Sequence, residues 1–169
     1  MDARNAPITN INDVTDYIIG QFVDDDGSLS ILKLQKLLYY AQAWHLAFGR
    51  GPLFAGKFQA WVHGPVSRQV FDRFKDTHSL FSAVGARDIR PEFNRDAMPP
   101  EARDHINEIL EAYGHFSGVQ LENMTHEEAP WLQARGTLKT YERSETEIDE
   151  QLMGAFYAKL LAEASEPQQ

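Results

Sequence analysis

Histidines and the acids beside them are the side chains with which this chain could do acid–base or metal chemistry. No two histidines are spaced i, i+4, and no HExxH motif occurs. The segment His126-Glu127-Glu128 suits the first turn of a helix, where acids are stabilising, better than it suits a metal site. We therefore expect no bound metal. The six histidines are His45, His63, His78, His105, His115 and His126.

A serine near a histidine is the one arrangement that suggests hydrolysis. Ser67 follows His63 by four residues, but the sequence has no nucleophile elbow. It also has no cysteine, no GxGxxG motif and no phosphate-binding loop of the Walker A type. We predict a protein that is not an enzyme and uses no cofactor. A hydrolase using His63 or His126 with nearby carboxylates is the less favoured alternative.

Aromatic and turn residues around Trp61 indicate recognition of a partner. They fit a strand-to-helix corner packed on the core, or a partly exposed aromatic anchor in a partner-binding groove. Lys33 and Lys36, expected on the polar side of the preceding helix, either frame that groove or are simply solvated. The predicted partner-binding residues are Lys33, Lys36, Tyr40, Trp61, His63, Gly64, Pro65 and Arg68.

Helices must position these side chains. The apolar spacing predicts a first helix from Ile11 to about Val23 with Asn10 as N-cap, and a central helix from the cap Ser30 through Phe48. Alternating residues 57–62 predict a short strand. We expect Pro65 in the first turn of the next helix, because proline is favoured there.

The second half of the chain is also expected to be helical. A helix opens at Pro99-Pro100-Glu101 and ends at Gly114, and a shorter one runs from Ser117 to Met124. Thr125 with Glu128, and Ser144 with Glu147, have the form of capping boxes, and the second would start the last helix. No structure is predicted for residues 77–98. The tail 163–169 is polar, so we expect it to fray.

Composition limits the classes of protein to consider. The 169 residues suit one mainly α domain spanning 1–169, with a core at about 11–161 and one or two short strands. The absence of cysteine, of a secretory signal and of a long apolar run favours the cytoplasm, without membrane contact. The net charge of −9 opposes nucleic-acid binding and suits a basic protein partner.

Three ordered motifs together resemble the Panacea-domain antitoxin family. They are Leu34–Leu46, Phe58–Val66 and Thr125–Trp131, with Gly51-Pro52-Leu53-Phe54 between the first two. The resemblance covers about Ile11 to Trp131.

What this resemblance implies is an antitoxin that neutralises its cognate toxin by direct protein contact. Within the family the chain is most similar to the SocA type. That type acts as a proteolytic adaptor that presents the bound toxin to the ClpXP protease, whereas simple occlusion of the toxin is the alternative.

Overall fold

Helix α2, Ile31–Ala47, is the central element of the computed structural model, which describes residues 5–165. Every residue from Ile31 to Ala43 is buried. The helix packs against four other helices and a β-hairpin. A helix enclosed on all sides is apolar nearly all round, which explains the wide apolar arc of its sequence.

The other elements surround α2 in a mainly α arrangement, as the sequence predicts. Two short strands form the sheet, and 3₁₀ turns occur at Ala86–Asp88 and Arg95–Ala97. The remaining elements are α1 (Ile11–Asp24), β1 (Phe58–Trp61), β2 (Gly64–Ser67), α3 (Arg68–Phe74), α4 (Pro100–Tyr113), α5 (Gly118–His126), α6 (Ala129–Arg135) and α7 (Glu150–Ala164).

Buried polar side chains of α2 bond to the backbone of the segments around it. The Gln42 amide oxygen accepts from the backbone N–H groups of Leu53 and Phe54 at 2.9 and 3.2 Å, and its amide nitrogen donates to the Phe54 carbonyl at 2.8 Å. Irregular backbone is thereby satisfied without water. These bonds fix the chain between α2 and β1.

Strands β1 and β2 form an antiparallel hairpin in which Trp61 faces Gly64. The outer edge of β1 is bonded to the segment before α7, through Ala60 N–H to the Thr146 carbonyl and Ile148 N–H to the Phe58 carbonyl. On β2, the Gln35 amide donates to the Ser67 carbonyl at 3.1 Å and accepts from the Ser67 N–H at 2.9 Å. Both edges of the hairpin are therefore bonded to other parts of the chain.

The irregular segment 77–98 is bound to α1 by ion pairs. Asp16 is fully buried on α1 and contacts the guanidinium groups of Arg73 and Arg90. Arg90 also pairs with Asp13, and Arg73 donates to the Asp88 carbonyl at 2.9 Å. A buried carboxylate needs such partners, so this cluster positions a segment that has no α-helix of its own.

Most predicted helices are confirmed, because local caps set their starts. Asn10 caps α1, Ser30 caps α2 and Ser117 caps α5 in a capping box. The short strand and the helix opening at Pro100 are confirmed too.

Three local predictions are wrong. Pro65 lies in β2, and the next helix starts at Arg68 with Ser67 as its cap, because pairing with β1 and the bonds from α2 hold this segment extended. Thr125 is buried inside α5 and donates to the Glu122 carbonyl instead of capping a helix. Asp149, not Ser144, caps the last helix.

The predicted frayed tail is only partly inside the described residues. Glu163 and Ala164 belong to α7, because the helix continues to Ala164 and is capped by Ser165. Residues 166–169 lie outside the part of the chain that the structure describes.

Replacing Gln42 by Met should lower the free energy of unfolding by about 2–4 kcal/mol, because it leaves buried backbone groups of Leu53 and Phe54 without partners. Gln69 is exposed, so Gln69→Met should change stability by less than about 0.5 kcal/mol. Urea unfolding of both variants measures the difference. Equal effects would contradict the assigned role of Gln42.

Candidate protein-interaction site

The turn between β1 and β2 places His63 against helix α5. Its Nδ1 lies 2.6 Å from a carboxylate oxygen of Glu122. The His63 side chain is 51% exposed, whereas that of Glu122 is 13% exposed. The carboxylate therefore orients an imidazole that a partner can still reach.

Beneath this turn lies the ammonium group of Lys36, which is fully buried and donates to the Pro65 carbonyl at 3.1 Å. Burial lowers the pKa of Lys36 to about 7, although the nearby Glu122 carboxylate opposes the change. Lys36 thus ties helix α2 to strand β2, and Glu122 supplies compensating charge.

His126 lies on the same side of α5, one helical turn after Glu122. Its ring stacks on Trp131, with centroids 4.0 Å apart, and its Nε2 is 4.0 Å from the Glu122 carboxylate. Within the described residues this buried nitrogen has no hydrogen-bond partner. Burial lowers the pKa of His126, with Glu122 again opposing.

Helix α6 secures the hairpin from the other direction. The Trp131 indole donates to the Trp61 carbonyl at 2.9 Å. The Arg135 guanidinium donates to the carbonyls of Ala60, Lys139 and Glu142, and it is buried. These bonds from α6 therefore fix β1 and the loop that follows α6.

Next to the hairpin, side chains of β1 and α3 form an aromatic and cationic group. The rings of Trp61 and Phe71 lie 4.9 Å apart, and the Arg68 guanidinium lies over both at 5.8 and 5.6 Å. Arg68 also pairs with Glu145 at 2.9 Å, an exposed contact that contributes little. We call Trp61, His63 and Arg68 the hairpin surface.

Lys33 and Lys36 do not lie on the polar side of the central helix, so that part of the sequence prediction is wrong. Lys33 is buried and donates to the Gly114 carbonyl at 2.6 Å, and Lys36 is bonded to Pro65. Each ammonium donates to a backbone carbonyl of a segment distant in the chain, so the periodicity of the helix alone could not predict its burial. Gly64 and Pro65 are buried as well.

Tyr40, another predicted site residue, is buried in a different hydrogen-bond network. Its hydroxyl donates to the Glu128 carboxylate at 2.7 Å, and the Tyr157 hydroxyl donates to the same oxygen at 2.9 Å. Burial raises the pKa of Glu128 and of both tyrosines. Tyr40 therefore supports the core that carries the site.

Ser67 is not available as a nucleophile at this site. Ser67, the predicted partner of His63 in hydrolysis, is buried, and its hydroxyl accepts the Val70 N–H as a helix cap. Among residues 5–165 no group of three or more histidines or acids has the geometry of a metal site. No helix within that range is long and apolar enough to cross a membrane.

Several site residues were missed by sequence reasoning. Glu122 was not singled out, although its i, i+4 spacing to His126 would have indicated a pair. Arg135 carried no local signal, because its acceptors are backbone carbonyls of distant segments.

Comparison with known proteins confirms the resemblance to the Panacea domain. A family model described as "Antitoxin SocA-like, Panacea domain" matches residues 34–132. The chain is 33% identical over 112 residues to Antitoxin SocA of Caulobacter vibrioides (strain NA1000 / CB15N), a match that covers 63% of this chain. It spans 60% of the length of that relative. No solved structure matches the chain.

Replacing Gly64 by Ala should destabilise the protein by about 2–5 kcal/mol through strain and crowding. The backbone has φ +102°, and an added Cβ would lie 2.5 Å from Lys36 Cε and 2.9 Å from Thr125 Oγ1. Gly56, at φ +112° with open space around it, is the matched control. Gly56→Ala should cost roughly 1–2 kcal/mol, from backbone strain alone. Equal losses of stability for the two variants, measured by thermal or urea unfolding, would contradict the crowding at Gly64.

Replacing Lys36 by Met should abolish a rise of stability with pH. The folded-state pKa of about 7 lies below the ordinary lysine value of 10.5. Between these values the unfolded chain binds more protons, so wild-type stability should rise by up to about 1.4 kcal/mol per pH unit. Below pH 7 both states are protonated and this slope disappears. Urea unfolding at several pH values measures the difference between wild type and variant. If the difference in the free energy of unfolding between wild type and variant does not change with pH, the lowered pKa of Lys36 is contradicted.

Proposed function

We propose, because the chain belongs to the SocA-like, Panacea-domain antitoxin family, that it is an antitoxin that binds its cognate toxin protein directly and neutralises it. The observation that carries this proposal is the family match over residues 34–132. That range contains most of α2, the hairpin, α5 and the start of α6, which are the elements that build the site. The curated relative is itself an antitoxin by name.

The hairpin surface is the proposed contact with the toxin. Tryptophan and arginine are the residue types that most often dominate binding energy at interfaces. Trp61 is partly exposed, while His63 and Arg68 are exposed. The hairpin that carries Trp61 and His63 is fixed by Trp131 and Arg135 at β1 and by the side chains of α2 at β2. A rigid surface of this kind loses little conformational entropy when it binds.

We further propose that the bound toxin is delivered to the ClpXP protease in the cytoplasm. An adaptor raises the effective concentration of its cargo at the protease, and it needs a second surface to do so. The end of α7 offers exposed Leu160 and Leu161 for such a contact. Simple occlusion of the toxin, without degradation, is the competing outcome of the test below.

The double variant His63→Ala/Arg68→Ala should weaken binding of the toxin, taken as the product of the neighbouring gene, by about 10- to 100-fold. The matched control is His115→Ala/Arg143→Ala, which removes the same residue types from exposed positions. Isothermal titration calorimetry with each variant measures the change in dissociation constant. Equal affinities of the two double variants would contradict the hairpin surface, and no binding by the wild type would contradict the antitoxin proposal.

Delivery is tested by following the purified toxin with ClpXP and ATP. Toxin half-life should shorten when the antitoxin is present and should return toward its unassisted value with His63→Ala/Arg68→Ala. If the toxin stays intact but is inactive in the complex, the antitoxin acts by occlusion and delivery to the protease is contradicted.

A further inference from the structure

A second surface feature is formed by the C-terminal half of α2 and the outer face of α4. Here an open cavity of about 560 Å³ is lined by two histidines, three acids and one arginine, with Ile8 closing one side. These residues are separate from the hairpin surface. The polar lining consists of His45, His105, Glu101, Asp104, Glu108 and Arg50.

Both histidines donate one ring N–H to a backbone carbonyl. His45 Nδ1 lies 2.6 Å from the Gly51 oxygen, and His105 Nε2 lies 2.8 Å from the Ala41 oxygen. Because a carbonyl can only accept, the remaining nitrogens, His45 Nε2 and His105 Nδ1, carry lone pairs. Neither is paired within residues 5–165, and His105 Nδ1 is buried there without a partner.

These rings remain neutral at physiological pH. Burial lowers the pKa of His45, and it lowers the pKa of His105 to about 4. Arg50 contributes to both shifts. Each histidine is itself nine-tenths or more buried, at 2% and 1% exposure. A neutral ring keeps its free nitrogen as a hydrogen-bond acceptor.

Three carboxylates complete the lining. Glu101, Asp104 and Glu108 are exposed on one face of α4, and none forms an ion pair with a residue in the described range. Like charges spaced i, i+4 on a helix repel each other unless a cation lies between them. Arg50, the one cation in the lining, lies over the Phe48 ring at 4.8 Å. Apart from Arg50, the polar lining groups are all acceptors.

We propose that this cavity binds a basic side chain, an arginine guanidinium, presented by a protein partner. A guanidinium offers five N–H donors and no acceptor, which matches a lining of three carboxylates and the free ring nitrogen of His45. A metal ion does not fit, because no such group within residues 5–165 has metal-site geometry. That the partner is the toxin rests on the proposed function, and the arginine would then lie on the toxin.

The first test uses the full chain and a small probe, the peptide acetyl-Gly-Arg-Gly-amide, with the citrulline peptide as its neutral isostere. NMR of ¹⁵N-labelled histidine side chains reports on His45 and His105 directly. We expect saturable shifts of both rings with a dissociation constant on the order of 1 mM for the arginine peptide. The citrulline peptide should cause none. Absence of ring shifts with the arginine peptide, or equal shifts with both peptides, would overturn the proposal.

A charge-matched pair of variants then assigns the site. The triple variant Glu101→Gln/Asp104→Asn/Glu108→Gln neutralises the lining. The control Asp25→Asn/Asp76→Asn/Glu163→Gln removes the same net charge at exposed positions elsewhere. Peptide binding should be lost in the first and kept in the second. Loss in both would mean attraction to overall charge alone, and retention in both would mean that the lining acids take no part in binding; either result would overturn the proposal.

A final arm separates this proposal from the antitoxin function. If the toxin binds the wild type, neutralising the lining should weaken that binding at least tenfold relative to the charge control. If neutralising the lining leaves the toxin affinity unchanged, the proposal that the toxin supplies the arginine is contradicted. A toxin that does not bind the wild type at all would contradict the antitoxin function, whereas the peptide titration would still decide whether the cavity accepts a guanidinium.

Discussion

Hydrogen bonds from buried polar side chains of α2 to the backbone of neighbouring segments hold this structure together. Gln35 pairs with Ser67, Lys36 with Pro65 and Gln42 with Leu53 and Phe54. Each bond satisfies backbone groups that have no strand or helix partner of their own. Leaving them unpaired in the core would be costly, so the polar residues of a central helix specify the path of the chain around it.

These bonds also explain why the hairpin can serve as a recognition element. A two-stranded hairpin by itself is only marginally stable in water. Here α2 bonds to β2, α6 bonds to β1 through Trp131, and the segment at Thr146 bonds to Ala60. The exposed side chains on the hairpin therefore rest on a backbone that is fixed from three sides, and binding needs little reordering.

The acidic side chains at the two surfaces differ in how far they are buried and in what they contact. At the hairpin, the largely buried Glu122 carboxylate lies near the Lys36 ammonium beneath it and contacts His63 Nδ1 beside it. On α4, the acids remain exposed, with two neutral histidines below them. Contacts of Glu122 hold the first surface in place, whereas the α4 acids, which pair with no cation within residues 5–165, can attract a basic partner.

The sequence by itself determined the features that depend on neighbouring residues. The caps Asn10, Ser30 and Ser117, the mainly α class, the short strand and the family motifs could all be predicted, because caps and periodicity act over only a few positions. Only the tertiary structure decided where Lys36, Pro65 and Thr125 lie. Their environments are set by segments distant in the chain, and pairing with those segments outweighs local propensity.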